Sequence, residues 1–211
     1  MNSYGPLSEE QIRKNTIGKL QPLSGRILIV DYDPQWPELF LREADRVQAA
    51  LRERALRIEH TGSTSVPGLA AKPIIDMLLV VSNSANEPAY VPALESAGYV
   101  LRIREIDWHE HRMFKGPDQD INLHVFSLGC SEINRVLTFR DWLRSNTSDR
   151  ELYARTKRNL ADSEWKYVQN YADAKTAIIE EIIERARQES RQMNGPCSLC
   201  HMSRTGSEPQ K

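Results

Sequence analysis

The sequence predicts an α/β chain of the α+β kind, with a mixed or antiparallel central sheet, helices packed on it and a helical C-terminal part. Three observations lead there. The run KPIIDMLLVV (72–81) is apolar at both alternating positions, the pattern of a strand covered on both faces. Two alternating runs, DWHEHRMFK and DINLHVF, flank GPDQ and read as a hairpin. From Glu132 to about Glu189 the apolar residues recur at three-four spacing, which is helical.

The other elements follow in chain order. Residues 1–25 form a polar arm, in which Ser8 and Gln11 stand at capping-box spacing for a short helix. RILIVDY (26–32) is expected as the first strand. DPQWPELFLREADRVQAALRE then opens with prolines and carries Trp36, Leu39, Phe40, Val47, Ala50 and Leu51 at helical spacing. ALRIEH (55–60) is a second strand running into the loop HTGSTSVPG. EPAYVPALESAG is a short helix closed by Gly98, and YVLRIRE is another strand. One C-terminal helix reaches about Asn146. A second starts at Ser148-Asp149, with Glu151 at capping-box distance, and runs to about Glu189. The expected domain spans 26–188, between the arm at 1–25 and a tail at 189–211 whose Ser, Gly and Gln content predicts disorder.

The composition narrows the function classes. A chain of 211 residues with 40% hydrophobic residues and a net charge of −1 can bury a sizeable core. It has no basic excess with which to attract nucleic acid or a membrane surface, so neither is an expected partner. No apolar run approaches the roughly 20 residues of a membrane span. MNSYGPLSEEQIRK lacks the apolar core of a secretory signal, and a cytoplasmic location is the expectation. Cys130, Cys197 and Cys200 do not make a disulfide framework. PCSLCHM matches the CxxCH spacing of haem attachment, which would require export. A zinc site would need two ligands beyond the cysteines, and only His201 is near, so the tail cysteines read as incidental.

Three constellations carry candidate chemistry. In HTGSTSVPGLAAKPIID, Gly62 lets the backbone approach a bulky ligand and Ser63 offers a hydroxyl and an N–H. A lone acid, Asp76, follows at the start of a buried strand, where an unpaired carboxylate is costly. It needs a metal ion, or a cationic partner such as Lys72, or a plain ion pair with no chemistry. On the hairpin, alternation puts His109, His111, Met113, Asn122, His124 and Phe126 on one face, with His111 opposite or close to His124. Glu110, Arg112, Phe114, Ile121, Leu123 and Val125 share the other, core-facing side. In the C-terminal helices, Arg140 falls among Ile133, Val136, Leu137 and Leu143, and Lys175 among Val168, Tyr171, Ile178 and Ile182. Such cations either snorkel to the edge or point into a cleft where an anion binds.

HTGSTSVPGLAAKPIID, the DWHEHRMFKGP…NLHVF hairpin, FRDWLR and YADAKTAII together resemble the GrpB family over roughly residues 27 to 186. That family is similar to the polymerase-beta-like nucleotidyltransferase superfamily, and some members are fused to dephospho-CoA kinase. The resemblance implies that Gly62-Ser63 is the superfamily's Gly-Ser turn and Asp76 the first of an acid–x–acid pair. In an active nucleotidyltransferase that pair and a third acid hold two Mg²⁺ ions. Here Leu78 stands at the second acid's place, and Asn122 and His124 where a third acid is expected.

The expected function is a nucleotidyltransferase-like protein binding a nucleotide or another phosphorylated small molecule. Its chemistry would be transfer of a nucleotidyl group from a nucleoside triphosphate to a small acceptor. Asp76 would hold Mg²⁺ or Mn²⁺, and His109, His111 and His124 would line the acceptor side. Gly62, Ser63, Ser65, Lys72, Asn122, Arg140 and Lys175 would bind the ligand. Because of Leu78, the alternative is a catalytically inactive ligand-binding or accessory module. A third class is a hydrolase with a single transition metal on the histidine face.

Overall fold

The computed structural model describes residues 6–118 and 120–193. Its helices are α1 (Glu9–Asn15), α2 (Trp36–Leu51), α3 (Val91–Ser96), α4 (Ser131–Ser145), α5 (Thr147–Ala161), α6 (Val168–Asp173) and α7 (Thr176–Met193). Its strands are β1 (Arg57–Thr61), β2 (Ile75–Val81), β3 (Val100–Glu105), β4 (His111–Lys115) and β5 (Ile121–Ser127). They form one sheet in the order β1-β2-β5-β4-β3, in which β2 and β5 run parallel and the other pairs antiparallel. The fold is α+β with a mixed sheet. Among the described residues no helix is long and apolar enough to cross a membrane.

Strand alternation sorts the sheet into two faces. Ile75, Met77 and Leu79 of β2 join Phe114, Ile121, Leu123 and Val125 against Trp36, Val47 and Leu51 of α2 and Leu94 of α3. On the opposite face, Leu78, Val80 and Phe126 pack with Ile133 and Leu137 of α4. Each of these large side chains gains about 1.5–3 kcal/mol from burial. A one-residue slip of β2 would drive Asp76 into the first core, so double-sided burial fixes the strand's register. A third cluster joins Leu143, Tyr153 and Ile182 of α4, α5 and α7 to Val66 and Leu69. It ties the loop between β1 and β2 to the C-terminal helices.

The hairpin faces fall as alternation predicts: Met113 pairs with His124, Phe114 with Leu123 and Lys115 with Asn122. Its first arm is shorter than expected. Residues 107–110 form turns, with His109 and Glu110 at positive φ (53° and 51°), and β4 starts only at His111. Arg112, on the core side, reaches Glu87, which also binds Arg104. The capping box of Ser8 and Gln11 opens α1 as expected.

Three expectations need correction. RILIVDY is not a strand, because its only bridge among the described residues is an isolated one, Val30–Ala71, to the loop between β1 and β2. The helix after Asn146 starts one turn position earlier, since the Asn146 side chain, not Ser148, accepts the Asp149 N–H at 2.9 Å. The single long helix to Glu189 is three helices. Trp165 Nε1 donates to the Leu160 carbonyl at the end of α5. Asn170 Oδ1 accepts the Tyr167 N–H at the start of α6, so side chains satisfy the backbone where the helix breaks. α7 extends to Met193, beyond the expected boundary at 188. The disorder expected of the remaining tail, with Cys197, Cys200 and His201, lies outside the described residues.

Candidate functional site

The site forms where the turn after β1 meets the start of β2. Gly62 has φ 65° and ψ −173°, a conformation open essentially to glycine alone. A Cβ there would stand 2.3 Å from Asp76 Oδ2, so glycine is required for the turn to lie against the carboxylate. A short 3₁₀ turn, Ser63–Ser65, follows. Ser65 Oγ donates back to the Gly62 carbonyl at 2.6 Å, and the Ser65 carbonyl accepts from Arg144 at 2.9 Å. Ser65 therefore builds the turn, while Ser63 faces the cations.

Asp76 is half-exposed and its Oδ1 accepts from Asn122 Nδ2 at 2.8 Å. His124 Nε2 stands 3.7 Å from the same oxygen. Burial pushes this carboxyl up, but the His124 ring in its charged form, then Asn122 and Lys175, outweigh it and hold the carboxyl below its usual range.

Two lysines from the C-terminal part stand near the turn and Asp76. Lys157 of α5 is buried and donates to Ser63 Oγ at 2.8 Å and to the Ala70 carbonyl. Burial, then the positive charges of Lys175 and Arg158, lowers its pKa to about 6. Lys175 sits at the α6–α7 junction with its ammonium 4.5 Å from the centre of the Tyr171 ring. Burial lowers its pKa to about 8 despite the attraction of Asp76. Lys72 is half-buried and shifted down by burial and by Lys115. Three amines thus share the neighbourhood of one carboxylate. The Tyr171 hydroxyl is buried and without a hydrogen-bond partner among the described residues.

The histidines divide. His111 is buried and both ring nitrogens are engaged, Nδ1 with Glu105 Oε2 at 2.7 Å and Nε2 with His124 Nδ1 at 3.0 Å. Burial lowers its pKa to about 4, which keeps the ring neutral. His109 lies outside the strand, edge-on to Trp108 and beside Glu132, and does not join Asp76. Arg140 points inward as its helical spacing implies, but it is taken by Glu59 at 2.6 Å, the His60 carbonyl at 3.0 Å and Asp141 at 2.8 Å. It secures β1 and is not turned to a ligand. Val168 is 44% exposed, so the inner stripe of Lys175 begins only at Tyr171.

These residues do not fit a pair of divalent cations. Among the described residues Asp76 is the one carboxylate placed at the turn, and Leu78 is packed in the apolar cluster under α4. Asn122 spends an N–H on Asp76, and the nearby amines already bring positive charge. Asp76 as a Mg²⁺ or Mn²⁺ ligand is thereby replaced by Asp76 facing Lys175 and His124. Among the described residues no group of three His, Cys, Asp or Glu is arranged to hold a metal ion, and His111 has no free nitrogen for one. The histidine-face metal centre has no donor set.

The profile of the GrpB family, described as GrpB protein, matches residues 26–185. The chain belongs to the GrpB family. A UPF0157 protein of Halalkalibacterium halodurans is 61% identical over 181 residues, covering 86% of this chain and 93% of that protein. A UPF0157 protein of Streptomyces coelicolor is 42% identical over 185 residues, covering 88% and 96%. Among solved structures, the conserved protein GrpB from Enterococcus faecalis superposes with a TM-score of 0.67 at 34% identity. That match covers 77% of this chain and 99% of the Enterococcus one. The residues matched by the family, 26–185, include the turn, the hairpin and the C-terminal segment with Lys157 and Lys175.

Lys157 was not expected from the sequence, although a signal was present. Asp149, Tyr153, Lys157 and Ala161 recur every four residues and are all buried in α5. The rule that singled out Lys175 applies equally to this lysine.

Proposed function

We propose that this GrpB-family chain binds a phosphorylated small molecule, with a nucleoside triphosphate as the leading candidate. The ligand's phosphates lie before the Gly62-Ser63 turn, against Lys157, Lys175 and Lys72. One observation carries the reading: two amines of depressed pKa, the buried Lys157 on Ser63 and the half-buried Lys175 near Asp76, flank the turn. A phosphate group would supply the missing negative charge and return both lysines to their charged form. The Gly62 turn offers it backbone, Ser63 a hydroxyl and Tyr171 an unpaired one. The further step, transfer of a nucleotidyl group to a small acceptor, draws on the motif resemblance to nucleotidyltransferases. It is assigned to the side of the site lined by Asn122 and His124.

Calorimetry with ATP, GTP and CTP tests the binding. Each titration is run with and without Mg²⁺ or Mn²⁺, since a cation would reach this site only on the triphosphate. Binding that weakens strongly in Lys157→Met is expected. Absence of binding to all three nucleotides overturns the nucleotide reading. A second reading, an inactive ligand-binding module, is favoured by the burial of Leu78 at the place of the second acid. Turnover that disappears in Asp76→Ala with the fold intact would eliminate it.

A further inference from the structure

Four side chains form a row across four strands on the site's face of the sheet: Glu105 on β3, His111 on β4, His124 on β5 and Asp76 on β2. Glu105 Oε2 to His111 Nδ1 is 2.7 Å, His111 Nε2 to His124 Nδ1 is 3.0 Å, and His124 Nε2 to Asp76 Oδ1 is 3.7 Å. A carboxylate closes each end. The far end is anchored, because Asn15 of α1 donates to the other Glu105 oxygen at 3.2 Å. His111 is wedged between Trp108 and Phe126, whose rings stand 5.3 Å and 4.8 Å from it.

A β-bulge makes the row possible. Leu101 pairs with Phe114 but Ile103 pairs with Met113, so β3 carries one residue more than β4 at that point. Regular pairing would set Arg104 opposite His111. The extra residue moves Glu105 there instead, and turns Arg104 to the other face, where it binds Glu87.

The hydrogens follow from this geometry. The Glu105 carboxylate can only accept, so His111 carries its proton on Nδ1 and its Nε2 is a lone pair. His124 must then donate through Nδ1. We infer that Glu105 and His111 are positioning residues that fix this protonation pattern, leaving Nε2 of His124 as a bare acceptor facing Asp76 at the ligand's edge. The charged and titratable groups around that ring are Asp76 from β2 and His111 from β4, with Lys175 behind Asp76. Resting on the nucleotide reading above, His124 serves as proton acceptor for the acceptor hydroxyl. The hydroxyl proton passes to Nε2, and the oxygen's lone pair forms the new O–P bond. The bond to the leaving pyrophosphate breaks with its electrons kept on oxygen, and Asp76 stabilises the imidazolium.

The test uses the full chain labelled with ¹⁵N-histidine, without ligand, and long-range ¹H–¹⁵N correlation at pH 8.5. The neutral His124 ring is expected to carry its hydrogen on Nδ1. Glu105→Gln presents either an oxygen or an N–H₂ to His111, so the row can run in either direction and both His124 tautomers should appear in comparable amounts. A neutral wild-type His124 protonated on Nε2 overturns the inference, as does a ring still doubly protonated at this pH. A tautomer unchanged in folded Glu105→Gln overturns it too. The wild-type spectrum decides even if that variant fails to fold. Failure of every nucleotide to bind, with the Nδ1 pattern intact, removes the ligand reading and leaves the positioning role standing.

Discussion

Lys157 links stability to pH in a way that can be measured. Its amine has a folded pKa of about 6, against 10.5 for an exposed lysine. Between those values the unfolded chain holds a proton that the folded chain does not, so stability rises with pH and is lost as pH falls toward 6. At close to one proton, the slope is about 1.3 kcal/mol per pH unit, or about 2.5 kcal/mol from pH 7 to pH 9. Lys175, with a folded pKa of about 8, adds to the slope only in the upper part of that window. Lys157→Met removes the titrating group while retaining most of the buried stem. Urea unfolding at pH 7 and pH 9 should show the wild type gaining about 2.5 kcal/mol more than the variant. Saturating inorganic phosphate should flatten the wild-type slope more than the variant's, because a bound anion restores the charge on Lys157. Equal pH slopes in wild type and Lys157→Met would refute the assignment of a neutral buried amine at Ser63.

Two further substitutions test the turn and the strand. Gly62→Ala meets a glycine-only backbone conformation, costing about 1–3 kcal/mol. It also forces Asp76 off Asn122, costing about 1.5–3 kcal/mol more. Urea denaturation should therefore show a loss of about 2.5–6 kcal/mol, and a loss under about 1 kcal/mol would contradict the close approach of turn and carboxylate. Leu78→Asp rebuilds the acid–x–acid spacing but puts a carboxylate into the apolar cluster with Val80, Phe126, Ile133 and Leu137. It should destabilise by at least about 3 kcal/mol and gain no Mn²⁺ affinity by calorimetry; a stable variant that binds Mn²⁺ would show that the pocket accommodates cations after all.

Much of the fold was legible because its signals are local. KPIIDMLLVV showed a strand buried on both faces, and the hairpin's alternation sorted Phe114, Leu123 and Val125 from Asn122 and His124 correctly. RILIVDY misled because its β-branched residues favour extended backbone without saying whether a sheet edge is there to pair with. At the site, Gly62, Ser63, Asp76, His124 and Lys175 come together as the motif suggested. Arg140 faces inward but meets Glu59 and not a ligand as expected, since that partner lies 81 residues away on β1 and no spacing rule reveals such a pairing. Glu105 was out of reach for a related reason. Its place opposite His111 depends on a bulge, and nothing in YVLRIRE marks one. For Lys157 the signal is local, the four-residue recurrence of buried positions along α5.

The polar arm has a consequence for how this sheet meets other molecules. β3 ends the sheet, and an uncovered border strand presents unpaired amides and carbonyls to any passing chain. Thr16 bridges Ile103, and the Ile17 N–H donates to the Arg102 carbonyl at 2.8 Å, so the arm already occupies part of that border. Its beginning is fastened elsewhere: the Leu7 N–H donates to Asp173 at 2.9 Å, and Glu9 binds Lys166 and Tyr167. The segment thus acts as a selvedge, sewn to the C-terminal helices at one end and hemming the sheet at the other. The margin it covers at Arg102 and Ile103 is no longer open to pairing with another strand.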